Sequence, residues 1–361
     1  MKRKEETDSA RRPTGGRLVE LDALRGIGAI AVVLYHLSAR FPEIFPGVAH
    51  VPFTFWPGEY RVLLFFAISG FAIFFSLRHI RTVGDFLVNR FARLFPTYWV
   101  AILLILLFEY VGDVDRLKIP LVSIAVNFTM LQSYFFHPEV DGAYWTLAYE
   151  LGFYACMIGL WRLFAGSLRR LEWAFLPWLG LKWLMLLWDG IPWRLTLVLV
   201  LEFLPFFIIG MLYYRIWSGE RRWRAQLPWF AAALVTLYGT GPWDLFLTGC
   251  VLVLVFGAML AGWLGFLTIR PLLWIGRTSY PLYLVHENIG FVIMVNLAGM
   301  GVNPWLGFGL AIATVLVLGG ILHRYVEMPA NRWIMERWKA RKGVAPTAGE
   351  AAVGAAETAP G

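Results

Sequence analysis

The chain has 361 residues, of which 59% are hydrophobic and only 16% are charged, and its mean hydropathy is +0.62. A soluble domain typically carries about 25% charged residues, so this composition excludes an ordinary soluble protein. The 18 Trp, 28 Phe and 14 Tyr are typical of a protein with aromatic belts at two membrane interfaces. We therefore expect an all-α membrane protein, a polytopic bundle of about ten transmembrane helices.

Three segments are predicted along the chain. Residues 1–17 are polar and basic and are predicted to form a disordered cytoplasmic tail. Residues 18–342 form the transmembrane domain. Residues 343–361, rich in Ala, Gly and Pro, form a second disordered cytoplasmic tail that is too short for a further domain. No cleavable signal is visible before the first apolar run, so that run is expected to remain as a span.

Apolar runs long enough to cross a membrane follow one another through most of the chain. We place ten spans, at about 20–39, 60–78, 96–111, 143–164, 172–189, 195–216, 227–240, 243–263, 279–298 and 304–323. The run 227–240 is short for a span, and the segment 119–136 is predicted to be interfacial or re-entrant. Pro177, Pro205 and Pro281 fall inside predicted spans and predict kinks.

The distribution of Lys and Arg predicts the orientation. With ten spans both termini lie on one side, and 26 of the 32 Lys and Arg residues fall on that side. By the positive-inside rule this side is cytoplasmic, which predicts a multi-pass protein of the cell inner (plasma) membrane.

The first span carries ionisable residues at both ends. Asp22 and Arg25 lie near its start, and His36 follows Arg25 after eleven residues, about 16 Å along a helix. Eleven residues make about three turns, so the side chains of Arg25 and His36 lie near one face. If Arg25 is at an interface, His36 is deep in the bilayer, where an ionisable residue is a candidate for function.

Two further ionisable residues are predicted at a similar depth. Glu150 and His286 each lie about two turns inside a span, roughly 10 Å from the interface. Together with His36 they supply a buried base and a buried carboxylate, the groups needed for general acid–base chemistry or for a proton relay. The alternative is a structural polar network between helices.

Arginines gather at the predicted cytoplasmic edge. Arg90 and Arg93 are three residues apart and should share a helical face, and Arg78 and Arg81 precede them. Arginine pairs bind phosphate groups bidentately, which predicts a phosphorylated ligand here. The alternative is ordinary positive-inside charge on lipid head groups.

Six motifs in order give the chain a family resemblance. They are Leu21–Gly26 with the spacing from Arg25 to His36, Phe65–Phe71, Arg90-x-x-Arg93-x-x-Pro96-x-Tyr98, Trp145–Tyr154, Gly276–His286 and Glu327-x-Pro329. With these motifs the chain resembles the acyltransferase-3 family of integral-membrane acyltransferases, which O-acylate bacterial surface polysaccharides and related glycans. The resemblance covers about residues 18–330. Small departures at Ala23, Ala67 and Thr146 remove no functional group.

The resemblance implies an acyl-CoA donor, used from the cytoplasm, and a hydroxyl acceptor. It implies that His36 is the catalytic histidine with Arg25 as its partner, and that Glu150 belongs to the catalytic group. It further implies that the donor or substrate is bound by Arg90, Arg93, Ser69, His286, Ser279, Tyr283 and Trp145.

The favoured hypothesis is a stand-alone membrane O-acyltransferase that moves an acyl group, in the first instance acetyl, from cytoplasmic acyl-CoA to a hydroxyl of a glycan, lipopolysaccharide or glycolipid. His36 would act as a general base or as the nucleophile of an acyl-histidine relay. The alternative is a proton-coupled transporter or flippase that uses His36, Glu150 and His286 as a relay. We expect membrane lipids as partners but no nucleic acid, no metal and no permanently bound cofactor. A homodimer is left open.

Overall fold

A computed structural model describes residues 18–343, apart from residues 189 and 191 and the side chain of Glu59. The predicted tails, 1–17 and nearly all of 343–361, lie outside the described residues. Within the described range the regular elements are helices, with no strand. The all-α fold class predicted from composition is therefore confirmed.

Seventeen α-helices are found in the described part of the chain. They are α1 Val19–Tyr35, α2 Phe41–Ile44, α3 Arg61–His79, α4 Val83–Gly112, α5 Leu121–Asn127, α6 Trp145–Leu163, α7 Leu168–Leu171, α8 Phe175–Leu187, α9 Trp193–Val198, α10 Leu204–Trp217, α11 Trp223–Thr240, α12 Trp243–Leu260, α13 Arg270–Arg277, α14 Ser279–Val285, α15 Glu287–Gly299, α16 Pro304–Leu322 and α17 Met328–Arg341. Two π-helical segments, His36–Arg40 and His323–Glu327, continue α1 and α16.

Several of these helices are long and apolar enough to cross a membrane. Among the described residues five qualify by length and composition, and up to seven qualify if each of two bent pairs counts as one span. One bent pair joins Ser279–Val285 to Glu287–Gly299 at 49°. The chain is thus a polytopic membrane protein, whereas the count of ten spans stays a prediction.

The prolines mark helix starts where kinks were predicted. Pro177, Pro205 and Pro281 each lie in the first turn of a helix, in α8, α10 and α14. Proline is tolerated there because the first backbone N–H groups of a helix have no intrahelical partner. The predicted kinks inside continuous helices are therefore wrong at these positions. The predicted span 96–111 begins at Pro96, whereas the structure places Pro96 inside α4, which begins at Val83.

Close helix packing through glycine brings the functional segments together. A Cβ at Gly70 of α3 would lie 2.0 Å from the carbonyl oxygen of Phe207 in α10, and one at Gly276 of α13 would lie 1.9 Å from that of Asp22 in α1. Only glycine permits such backbone approach. The second contact matters most here, because it fixes α13, and with it the following α14, against α1.

Candidate active site

His36 lies where α1 changes its helical geometry. It is the first residue of the π-helical segment His36–Arg40, and its side chain is buried. Single π-turns inserted into α-helices occur frequently at functional sites, because they re-aim side chains without ending the helix. Here the segment directs the ring of His36 toward the bend between α14 and α15.

A chain of hydrogen bonds fixes the imidazole of His36. Nδ1 of His286 lies 2.7 Å from the carbonyl oxygen of Tyr283, and Nε2 of His286 lies 2.7 Å from Nδ1 of His36. A carbonyl oxygen only accepts, so Nδ1 of His286 donates and Nε2 of the neutral ring accepts from His36. We therefore assign the proton of His36 to Nδ1. Nε2 of His36 is left with its lone pair, the form needed by a base or a nucleophile.

A cation and a carboxylate lie beside the ring of His36. Nη2 of Arg61 lies 2.9 Å from Nε2 and 3.3 Å from Nδ1 of His36, so the guanidinium sits over the ring. Oε2 of Glu287 lies 3.3 Å from Nε2 of His36. The guanidinium of Arg61 also donates to the carbonyl oxygen of Gly58 and lies 4.4 Å above the ring centre of Tyr35. These contacts hold Arg61 beside the reactive nitrogen.

A buried polar network fixes the start of α15 beside Glu287. The backbone N–H of Asn288 donates to Asp141 at 3.0 Å, and the side chain of Asn288 donates to Glu109 at 2.8 Å. A Cβ at Gly142 would lie 2.6 Å from Oε1 of Glu287, so the loop before α6 packs directly on this carboxylate. The network ties three segments of the chain to the site.

Two adjoining cavities lie beside His36. The first, which we call the histidine chamber, has a volume of about 320 Å³ and is lined by residues that include His36, Arg61, Glu287 and Trp145. The second, the arginine chamber, has a volume of about 100 Å³. Both chambers are lined by Val62, Phe65, Thr146 and Tyr283. The hydroxyls of Thr146 and Tyr283 are hydrogen-bonded to each other within this shared wall.

Several of the site residues predicted from the sequence line the arginine chamber. Its lining includes Arg25, Ser69, Arg93, Glu150 and Ser279. The hydroxyl of Ser69 donates to Glu150 at 3.1 Å, and Arg25 lies 3.6 Å from the carboxylate of Asp22. Two cations and one carboxylate thus line a narrow, largely apolar cavity.

Arg90 takes a different place from Arg93. Its Nη2 donates to Oγ of Ser76 at 2.8 Å, and its guanidinium lies 5.2 Å from the ring centre of Tyr154. Tyr154 in turn donates to Glu150. Arg90 therefore does not line the arginine chamber but contacts Tyr154, which in turn contacts the lining residue Glu150. The buried Nε of Arg90 has no hydrogen-bond partner among the described residues.

The structure brings together some of the predicted site residues and separates others. His36 and His286 are in direct contact, and Tyr283 holds His286 through its carbonyl group. Glu150 is separate: its hydrogen bonds go to Ser69 and Tyr154 rather than to His36. The carboxylate beside His36 is instead that of Glu287, in the residue that follows His286.

Two residues at His36 were not singled out from the sequence. Neither Arg61 nor Glu287 belongs to a residue pattern that the sequence analysis assigns to the site. The available signal was an isolated arginine at a span start and a carboxylate inside an apolar run.

One group of side chains has the spacing of a metal site. Within the described part of the chain, one ligand atom from each of His36, His286 and Glu287 lies within 4.8 Å of the others. However, the two imidazoles are joined by a direct hydrogen bond of 2.7 Å, and the cation of Arg61 lies against Nε2 of His36. This arrangement favours a hydrogen-bonded dyad.

Comparison with known proteins identifies the family. The family model described as "Acyltransferase domain" matches residues 18–324. The chain belongs to the acyltransferase-3 family. Because of this membership, the chain is an enzyme that transfers acyl groups, and the predicted family and enzyme class are confirmed. No curated protein and no solved structure matches the chain. The roles of individual residues in this acyltransferase rest on the geometry above.

Proposed function

We propose that this acyltransferase moves an acetyl group from acetyl-CoA, whose phosphates lie against the arginines of the arginine chamber, to a hydroxyl of a glycan or glycolipid in the histidine chamber. The observation that carries the proposal is the contact of His286 with Nδ1 of His36 at the wall of one chamber, while arginines line the next. The shared wall of Thr146 and Tyr283 is where the thioester and the hydroxyl would meet.

The binding place of the acyl donor is proposed from the positions of positive charges. Coenzyme A carries several phosphate charges, and Arg25 and Arg93 line the arginine chamber. The unpartnered Nε of Arg90 is a further donor whose burial is costly unless an anion or a rearrangement satisfies it. The excess of Lys and Arg on the predicted side of the termini supports a cytoplasmic donor and a location in the inner membrane, with both termini cytoplasmic.

The chemistry is proposed to centre on Nε2 of His36. An acceptor hydroxyl donates to Nε2 of His36 and transfers its proton there as its oxygen attacks the thioester carbonyl. The carbon–sulfur bond breaks, the coenzyme A sulfur takes the proton from His36, and the ester leaves. The guanidinium of Arg61 is one hydrogen-bond length from Nε2 and would stabilise the oxyanion of the tetrahedral intermediate.

A covalent route uses the same atoms. Nε2 of His36 would attack the thioester carbonyl, and the carbon–sulfur bond would break with release of coenzyme A as its thiolate. The acceptor hydroxyl would then attack the acyl-histidine and give its proton to the coenzyme A sulfur, and the carbon–nitrogen bond would break to restore His36 and release the ester. In both routes His286 is a positioning residue, since it holds the ring of His36 through Nδ1.

The transporter hypothesis receives less support. A relay would need contact among His36, His286 and Glu150, but the hydrogen bonds of Glu150 lead to Ser69 and Tyr154. Binding of acetyl-CoA separates the two hypotheses, because a transporter has no reason to bind it.

The direct test is turnover by the purified protein. Radiolabelled acetyl-CoA is supplied with surface polysaccharide whose ester groups have been removed by mild alkali. We expect labelled polysaccharide from the wild type and none from His36→Gln. No binding of acetyl-CoA and no transfer by the folded wild-type protein would overturn the proposal.

A further inference from the structure

A second groove opens beside the histidine chamber and shares a residue with it. This aromatic groove has a volume of about 260 Å³, and its lining includes Phe136, His137, Glu139, Trp145 and Trp193. Trp145 lines both the groove and the histidine chamber. Trp145 is therefore the common wall of the two cavities, and a group in the groove lies one residue away from a ligand at His36.

The groove presents aromatic faces in fixed positions. The rings of Phe136 and Trp193 lie 5.3 Å apart at 30°, and the guanidinium of Arg194 lies 4.5 Å from the ring centre of Phe136. Both rings remain accessible, at 65% for Phe136 and 49% for Trp193. Phe136 also has a φ of 59°, a left-handed conformation that a bulky residue rarely adopts. Strain of this kind is often retained at binding sites.

Polar groups are held among these rings. Oε1 of Glu139 accepts from the hydroxyl of Ser133 at 2.8 Å, and Nδ1 of His137 lies 3.1 Å from the hydroxyl of Ser123. A fixed carboxylate and a fixed imidazole next to aromatic faces suit a ligand with an apolar face and hydroxyls at its edge. A sugar ring has this chemistry, whereas a lipid chain offers no hydroxyls to Glu139.

We propose that the aromatic groove is an acceptor subsite that binds the sugar unit next to the one acylated at His36. This inference rests on the proposed function and names part of its substrate. The apolar face of the sugar packs on Trp193 and Phe136, and a ring hydroxyl donates to Glu139. Drug-sized ligands fill roughly 300–1,000 Å³, so this smaller groove suits a single ring. The subsite makes the enzyme prefer an acceptor of at least two sugars.

The test compares acceptors of different length. Surface polysaccharide is stripped of its ester groups with mild alkali, cut into fragments of one to six sugars, and offered to purified full-length enzyme with radiolabelled acetyl-CoA. We expect kcat/KM of the wild type to rise from one sugar to two. In Trp193→Ala the KM for fragments of two or more sugars should rise roughly 3- to 10-fold, as for loss of one aromatic contact, with kcat unchanged.

Two further variants sharpen the outcome. Glu139→Gln keeps the size of the side chain and should raise the same KM, which covers the case that Trp193→Ala does not fold. Trp243→Ala is the matched control, since Trp243 is 58% exposed at the start of α12 and lies outside the groove. An equal loss in the control, or an unchanged length dependence in both groove variants, would overturn the subsite and leave the proposed function standing. Failure of the wild type to acylate any fragment would overturn both.

Discussion

Replacing His286 tests whether the histidine dyad sets the reactive form of His36. In His286→Leu the Nδ1–H of His36 loses its acceptor, which lies at 2.7 Å in the wild type. A buried donor without a partner costs about 1–3 kcal/mol. The proton of His36 then has a reason to move to Nε2, because Oε2 of Glu287 lies 3.3 Å from that nitrogen. The lone pair that the acceptor hydroxyl needs would be lost.

The size of the effect follows from this free energy. A loss of about 1–3 kcal/mol in tautomer preference lowers the ratio of the Nδ1–H to the Nε2–H tautomer roughly 5- to 150-fold. We expect kcat for acetyl transfer to fall by up to this factor in His286→Leu, while the KM for acetyl-CoA stays unchanged because the donor binds elsewhere. His286→Gln retains an acceptor for Nδ1–H and should recover most of the activity.

The assay is steady-state transfer from radiolabelled acetyl-CoA by purified protein, normalised to folded protein by gel filtration and thermal unfolding. A purely structural role would lower the unfolding temperature of both variants and leave kcat per folded molecule intact. Equal kcat values for the wild type and His286→Leu would refute the assignment of the proton to Nδ1.

Three further predictions follow from the same geometry. Arg61→Gln should lower kcat roughly 10²- to 10³-fold, as for loss of an oxyanion donor, with Arg61→Lys intermediate; unchanged kcat in both would exclude this role. Arg90→Ala and Arg93→Ala should each weaken coenzyme A binding, measured by calorimetry, roughly 10- to 150-fold, and an unchanged affinity in the double variant would return both to lipid contact. For the topology test, Cys156 and Cys250 are removed and Arg81, which is exposed, is replaced by cysteine. This cysteine should not react with a membrane-impermeant thiol reagent in intact cells. Labelling from outside the cell would contradict the prediction of cytoplasmic termini.

Much of the architecture follows from composition and apolar run length, but the breaks in the helices do not. The run 195–216 reads as one span, yet the structure divides it into α9 and α10. Apolar residues suit either a continuous helix or two helices with an intervening turn. Which one forms depends on the packing of α10 against α3, a tertiary contact that periodicity does not contain.

The sequence names several residues of the candidate site, but it does not give their contacts, and it does not single out Arg61 or Glu287. Arg25 and His36 share a helix, so their spacing predicted that they lie on one face. The contact between His36 and His286 spans 250 residues and depends on the approach of α13 to α1 at Gly276. Arg90 and Arg93 show the limit of local spacing, since both are on α4 but only Arg93 lines the arginine chamber.

The central claim is that Nε2 of His36 carries out the acyl transfer, and His36→Ala tests it most directly. Purified, folded variant is assayed at saturating acetyl-CoA with the alkali-treated polysaccharide. Loss of a general base costs about 10²–10⁴ in rate, and loss of a nucleophile costs more. We predict no detectable transfer, with thermal stability near that of the wild type. Transfer within tenfold of the wild type would contradict the catalytic assignment of His36.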